Sequence, residues 1–107
     1  MKSSRLSLAS CVVLAGAAFV GRAALAAGGS AEQIVGAIDA VVFVCTPIDP
    51  KSVKPGLDIL QRAVEQRKLD LPAIRKSDVY RSAYNSEVNR LLTIAPKERL
   101  GACQQAW

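Results

Sequence analysis

Cys45 and Cys103 set the tightest limit on how residues 27–107 can fold. The chain's third cysteine, Cys11, lies in an N-terminal stretch that reads as a leader, which leaves these two in a domain of 81 residues. Beyond a membrane, in an oxidising compartment, two such cysteines pair, and with only two there is a single connectivity. They are 58 positions apart, so the bond ties the first half of the domain to its last segment. Loop-closure entropy makes a cross-link of that span worth about 4 kcal/mol. A core this small supplies only a few kcal/mol of its own, so the bond is a large share of the expected stability. Rival roles for the pair fail on composition. There is no C-x-x-C motif and the chain has no histidine. That removes Cys/His zinc patterns, the commonest haem ligand and the imidazole partner of a nucleophilic cysteine.

The compartment argument rests on residues 1–26. Lys2 and Arg5 form a positive head, Leu6 to Val20 is an apolar segment, and Ala24-Leu25-Ala26 is an A-x-A ending. Those are the three parts of a secretory signal peptide, with cleavage expected after Ala26. A membrane anchor is the competing reading, but the apolar segment makes a helix of only about 22 Å against a bilayer core of about 30 Å. Gly21-Arg22 interrupts it where a longer span would be needed. A second alternative is a lipoprotein anchored through Cys11, because Leu8-Ala9-Ser10-Cys11 fits a lipobox. A lipobox closes an apolar segment, whereas here the apolar stretch follows the cysteine. The expected product is therefore exported, periplasmic or secreted, and not stably inserted in the membrane after cleavage.

This division also reassigns the charge. The whole chain carries +5, but Lys2, Arg5 and Arg22 belong to the leader. From Ala27 onward eleven Lys or Arg face nine Asp or Glu, alternating in sign along the chain. A nucleic-acid-binding domain concentrates its cations on one face, so no nucleic-acid partner is expected.

Residues 27–30 read as a flexible lead-in to a helical domain spanning 31–107. Ser30-Ala31-Glu32-Gln33 matches a capping box. Behind it Ile34, Val35, Ile38, Val41, Val42 and Cys45 recur at helical spacing. The β-branched run Val41-Val42-Phe43-Val44 would suit a strand, but the longer period and the cap favour a helix. Asp39, the one charge in this segment, is expected on the solvent side. Thr46-Pro47-Ile48-Asp49-Pro50 stops the helix, and Asp49-Pro50 reads as an N-cap with proline at the first helical position. Val53, Leu57, Leu60 and Val64 mark a second helix. Pro55-Gly56 predicts either a start near Val53 or a kinked first turn. Asp70-Leu71-Pro72 offers a new start, and a short turn over Ala73-Ile74-Arg75-Lys76 precedes a cap at Ser77-Asp78 and a helix carrying Tyr80, Tyr84, Val88 and Leu91. Ala95-Pro96 opens a last helix on which Leu100, Cys103 and Trp107 share a side. The expected fold is all-α, a small antiparallel bundle of about four helices stapled by the Cys45–Cys103 disulfide and preceded by a signal peptide.

No catalytic motif is present, and the acidic residues are scattered singly among basic ones, so no enzyme, cofactor or metal site is expected. The most distinctive stretch runs from Arg75 to Asn85. Arg75 and Lys76 precede a helix start, where cations and amides could hold an anion, although solvated surface charge is the plainer reading. Tyr80 and Tyr84, four apart, suit a partner's pocket or a core position with hydroxyls at the rim. Trp107 either closes the bundle near the disulfide or anchors a partner. Function is therefore expected to be that of an exported interaction or accessory module for another envelope protein. A stress-type holdase, or a carrier of a small apolar ligand in the bundle interior, is the alternative. The oligomeric state is open.

Overall fold

The computed structural model describes residues 29–107. The predicted signal peptide, its cleavage site and Cys11 lie outside the described residues. Those residues form an all-helical unit tied by a Cys45–Cys103 disulfide, with Cα atoms 5.6 Å apart. Among the described residues no helix is long and apolar enough to cross a membrane.

Helix α1 spans Ala31–Cys45. Ser30 Oγ accepts from the Gln33 amide at 3.2 Å, and the Ser30 amide donates to Gln33 Oε1 at 2.9 Å, a complete capping box. The β-branched run inside α1 stays helical because its period lays Val35, Ile38, Val41, Val44 and Cys45 on one buried face. A turn of 3₁₀ helix, Pro50–Val53, follows, with Asp49 Oδ1 capping the Lys51 amide. Helix α2, Lys54–Arg67, begins only after it. Pro50 fits a first turn, but Pro55 has no amide to extend that turn and so restarts the helix, as Pro55-Gly56 predicts. α2 ends on Lys68 in the left-handed region, φ 53°, a place glycine usually takes.

Five helices stand among the described residues, where about four were expected. The additional one is α3, Leu71–Ile74. It starts where Asp70-Leu71-Pro72 offers a start, with the Asp70 carboxylate accepting from the Ala73 amide at 3.3 Å, and its single turn ends at Ile74, before the Lys76 expected. Helix α4, Asp78–Leu92, is capped by Ser77 Oγ on the Tyr80 amide, and α5 is Pro96–Gln104. Arg99 folds back from α5 to donate to the carbonyls of Ile94 and Leu92, closing the exit of α4.

The dominant packing is α1 on α4, and that pair runs parallel, the sense that a return limb between two helices gives them. Gly36 lies against Tyr80 and Ala83, Phe43 meets the Tyr84 ring, and Val44 and Cys45 share a core cluster with Leu91, so residue numbers rise together along both helices. α2 is the return limb. Its approach, Val53, packs with Val41 and Val44, and its Leu60 packs with Val35 and Ile38, so it is antiparallel to α1. α2 and α3 together carry the chain back to the beginning of α1 before α4 sets out. The core is two clusters, one around the disulfide and one around Val35, Ile38, Leu60 and Ile74. Val42 and Trp107 pack against both.

Gly36 permits the close helix pair. A Cβ placed there would sit 2.7 Å from the Tyr80 carbonyl oxygen and 3.1 Å from the Ala83 Cβ. Ala40, one turn on, is fully buried as well. Two small residues four apart let the α1 backbone settle directly on α4.

Candidate functional site

Along one edge of the α1–α4 seam a polar cluster runs into a row of aromatic rings. Asp39 is its centre. Arg75 Nε donates to Asp39 Oδ2 at 2.8 Å and Arg75 Nη2 to Oδ1 at 3.1 Å, a bidentate pair. The Tyr80 hydroxyl donates to the same Oδ2 at 2.7 Å. Asp39 is therefore not the solvent-side charge that its sequence position suggests; its side chain is only 15% exposed. The start of α4 and the α3–α4 turn cover this stripe of α1, and a half-covered carboxylate needs the donors they bring.

The cluster shifts the ionisation of its members. Burial is the largest influence on Tyr80, and the hydrogen bond to Asp39 adds to it, because donating that bond requires the phenol to keep its proton. The phenol is pushed up to about 12. Arg75 is raised above its ordinary value, chiefly by its hydrogen bonds to Asp39. Tyr80 holds its proton more tightly in the folded chain than in the unfolded one, whose phenol titrates near 10. Its contribution to stability is complete below about pH 10 and is lost as pH rises through about 12. In a Tyr84→Phe variant Tyr80 is the only tyrosine. Its 295 nm absorbance is expected to titrate near pH 12 and, with Asp39→Asn added, at a visibly lower pH. A midpoint near 10 in the first variant would remove the hydrogen bond from the site.

From Tyr80 the row continues along α4. The Tyr80 and Tyr84 rings stack with centroids 5.9 Å apart, and Tyr84 meets Phe43 of α1 at 6.1 Å with the planes tilted 49°. Both tyrosines are half-buried, while Phe43 is 63% exposed. The polar cluster thus anchors one end of the row and an open phenyl ring forms the other.

The remaining predicted residues fall elsewhere. Lys76 is exposed in the turn before α4, where its carbonyl accepts from Arg81 Nη2 at 3.0 Å. The groups expected to hold an anion beside Arg75 are engaged internally, the guanidinium by Asp39 and the Tyr80 amide by Ser77. Trp107 lies far from the aromatic row in chain position and packs over α2. Its Nε1 donates to the Ser52 carbonyl at 2.7 Å, and its ring lies against Gly56. Cys45 and Cys103 are fully buried in the cluster around the disulfide. Asp39 and Phe43 were missed as site residues. Their four-residue spacing on α1 matches that of Tyr80 and Tyr84 on α4, and a lone charge inside an apolar segment was the available signal.

Beside α4 an open groove of about 490 Å³ is lined by Gln33, Asp78, Val79, Ser82, Ala83 and Ser86. It contains none of the predicted site residues. Among the described residues no three His, Cys, Asp or Glu side chains gather as a metal site requires. No protein-family model matches the chain, and comparison with curated proteins and with solved structures gives no match.

Proposed function

We propose that the helical domain is an exported interaction module that binds a protein partner of the cell envelope through the α1–α4 edge carrying Phe43, Tyr84 and Tyr80. Phe43 is the observation that carries this reading. A phenyl ring 63% exposed, braced by a tyrosine and backed by a second tyrosine hydrogen-bonded into an ion pair, is a stiff aromatic anchor. Such rings supply contact area at little cost in conformational entropy, and aromatic anchors dominate protein–protein binding energy. The half-covered Asp39–Arg75 pair fixes the platform without lying in the contact itself. The disulfide is compatible with an oxidising exported compartment.

Phe43→Ala tests the reading, because removing an exposed ring leaves the core intact. A photo-crosslinking residue at the exposed position 85, one residue beyond Tyr84, is expected to capture one envelope protein with the wild-type ring present. With Phe43→Ala the capture should fall at least tenfold while the unfolding midpoint moves by less than about 3 °C, the loss expected for an interface anchor. Equal capture by both chains would refute the proposed face. Suppression of client aggregation by both chains alike would instead support a holdase.

A further inference from the structure

We infer that residues 104–107 form a latch that gates reduction of the Cys45–Cys103 disulfide. The two chain segments leaving the cysteines are fastened to each other. From Cys45 the chain turns sharply, the Ile48 and Asp49 amides both donating to the Cys45 carbonyl, and Ser52 Oγ donates to the Asp49 carbonyl at 2.7 Å. From Cys103 the chain crosses that turn. Gln104 Nε2 reaches Asp49 Oδ2 at 3.4 Å, and Trp107 Nε1 donates to the Ser52 carbonyl at 2.7 Å. The Trp107 ring lies so close on Gly56 that a Cβ there would sit 2.2 Å from the ring carbon Cζ2. Trp107 also packs against both core clusters, one of which contains both cysteines.

The gate follows from burial. Both cysteines have no exposed surface, so a thiolate cannot reach either sulfur until part of the structure opens. Releasing α5 is the least costly opening. Cys103 is its only buried residue, and Leu100 is 43% exposed. Apart from the disulfide, the segment is held by the Arg99 bonds, the Gln104 contact, Ala106 and Trp107. Trp107 is the largest of these attachments and so sets most of the local opening cost.

The reductant class is a dithiol. Its thiolate attacks one sulfur, the S–S bond breaks, and the other cysteine leaves as thiolate. The reductant's second thiol then displaces the first cysteine and closes a cyclic disulfide, and the two protons of the dithiol end on Cys45 and Cys103. Reduction removes the covalent tie, and α5 is then held over α2 only by non-covalent contacts such as the Arg99 bonds, the Gln104 contact and Trp107.

Dithiothreitol under native conditions, with freed thiols trapped by alkylation and counted by intact mass, tests the gate. Trp107→Ala and Gly56→Ala are expected to be reduced at least tenfold faster than wild type. Gly56→Ala keeps the tryptophan but denies it its seat, so it reads the latch even if Trp107→Ala folds poorly. Ser77→Ala removes the hydroxyl that caps α4, outside the latch and outside both clusters that Trp107 packs against. It lowers global stability and is expected to leave the reduction rate within threefold of wild type. Equal acceleration in Ser77→Ala, or wild-type rates in both latch variants, would overturn the inference.

Discussion

Replacing Cys45 and Cys103 together by alanine is expected to remove about 4 kcal/mol of stability, the loop-entropy value for a cross-link spanning 58 residues. For a domain of this size that corresponds to a fall in Tm on the order of 20 °C. Alanine is the right replacement because both positions are fully buried, and serine would add an unpaired hydroxyl. Thermal unfolding by circular dichroism in the far ultraviolet measures the loss. The α1–α4 pairing does not pass through the disulfide, so helical content at low temperature should persist. A variant that melts within about 5 °C of wild type would show that the α5 side of the disulfide cluster contributes little and that the bond is dispensable.

Gly36→Val is the second large effect, with an expected loss of about 3 kcal/mol. Two contributions oppose each other at this position. Glycine inside a helix costs up to about 1 kcal/mol relative to alanine, so any side chain gains something locally. Against it, a Cβ at Gly36 meets the Tyr80 carbonyl at 2.7 Å and the Tyr84 amide nitrogen at 3.1 Å, both backbone atoms that cannot rotate aside. The helices must separate instead, and with them Tyr80 from Asp39 and Tyr84 from Phe43. Alanine should cost about 1 kcal/mol and the branched valine more, since its methyl groups extend the clash. Urea unfolding of the three chains gives the order glycine, alanine, valine. A more stable alanine variant would mean the helices have slack at the crossing. Because the polar cluster is disturbed too, Gly36→Val should also bring the Tyr80 titration down from about 12.

Local features of the fold were legible because local chemistry decides them. Ser30, Asp49 and Ser77 each cap an amide two or three residues away, and a helical period can be read from a single segment. The disulfide followed from counting cysteines. What escaped were relations between distant segments. Asp39 finds its donors 36 and 41 residues further along, and nothing near it in sequence announces an arginine and a tyrosine arriving together. The parallel sense of α1 and α4 depends on a return limb made of α2 and α3, and although Asp70-Leu71-Pro72 marked a start, the short turn was read on to Lys76 when it ends at Ile74. Gly36 showed no turn signal, since its purpose is the approach of another backbone. Gly56 was noted for disturbing a helix start, while its packing role, a seat for the indole of Trp107, lay 51 residues away. At the aromatic edge the tyrosines stood out by their spacing. Phe43 was hidden inside an apolar run where a further hydrophobic residue carries no distinguishing mark.

The parallel pairing of α1 with α4 also orders events in time. A chain that emerges N-terminus first presents the apolar face of α1, with Val35, Ile38 and Val41, long before the residues that cover it exist as neighbours. α2 can shield part of that face early, but the Tyr80 to Leu91 stretch must be clear before the main seam closes. Cys45 waits still longer for Cys103. Contacts this distant in sequence close slowly, because the loop entropy is spent before they form. The helical unit therefore stays uncommitted until the stretch from Tyr80 to Cys103 is available to cover α1.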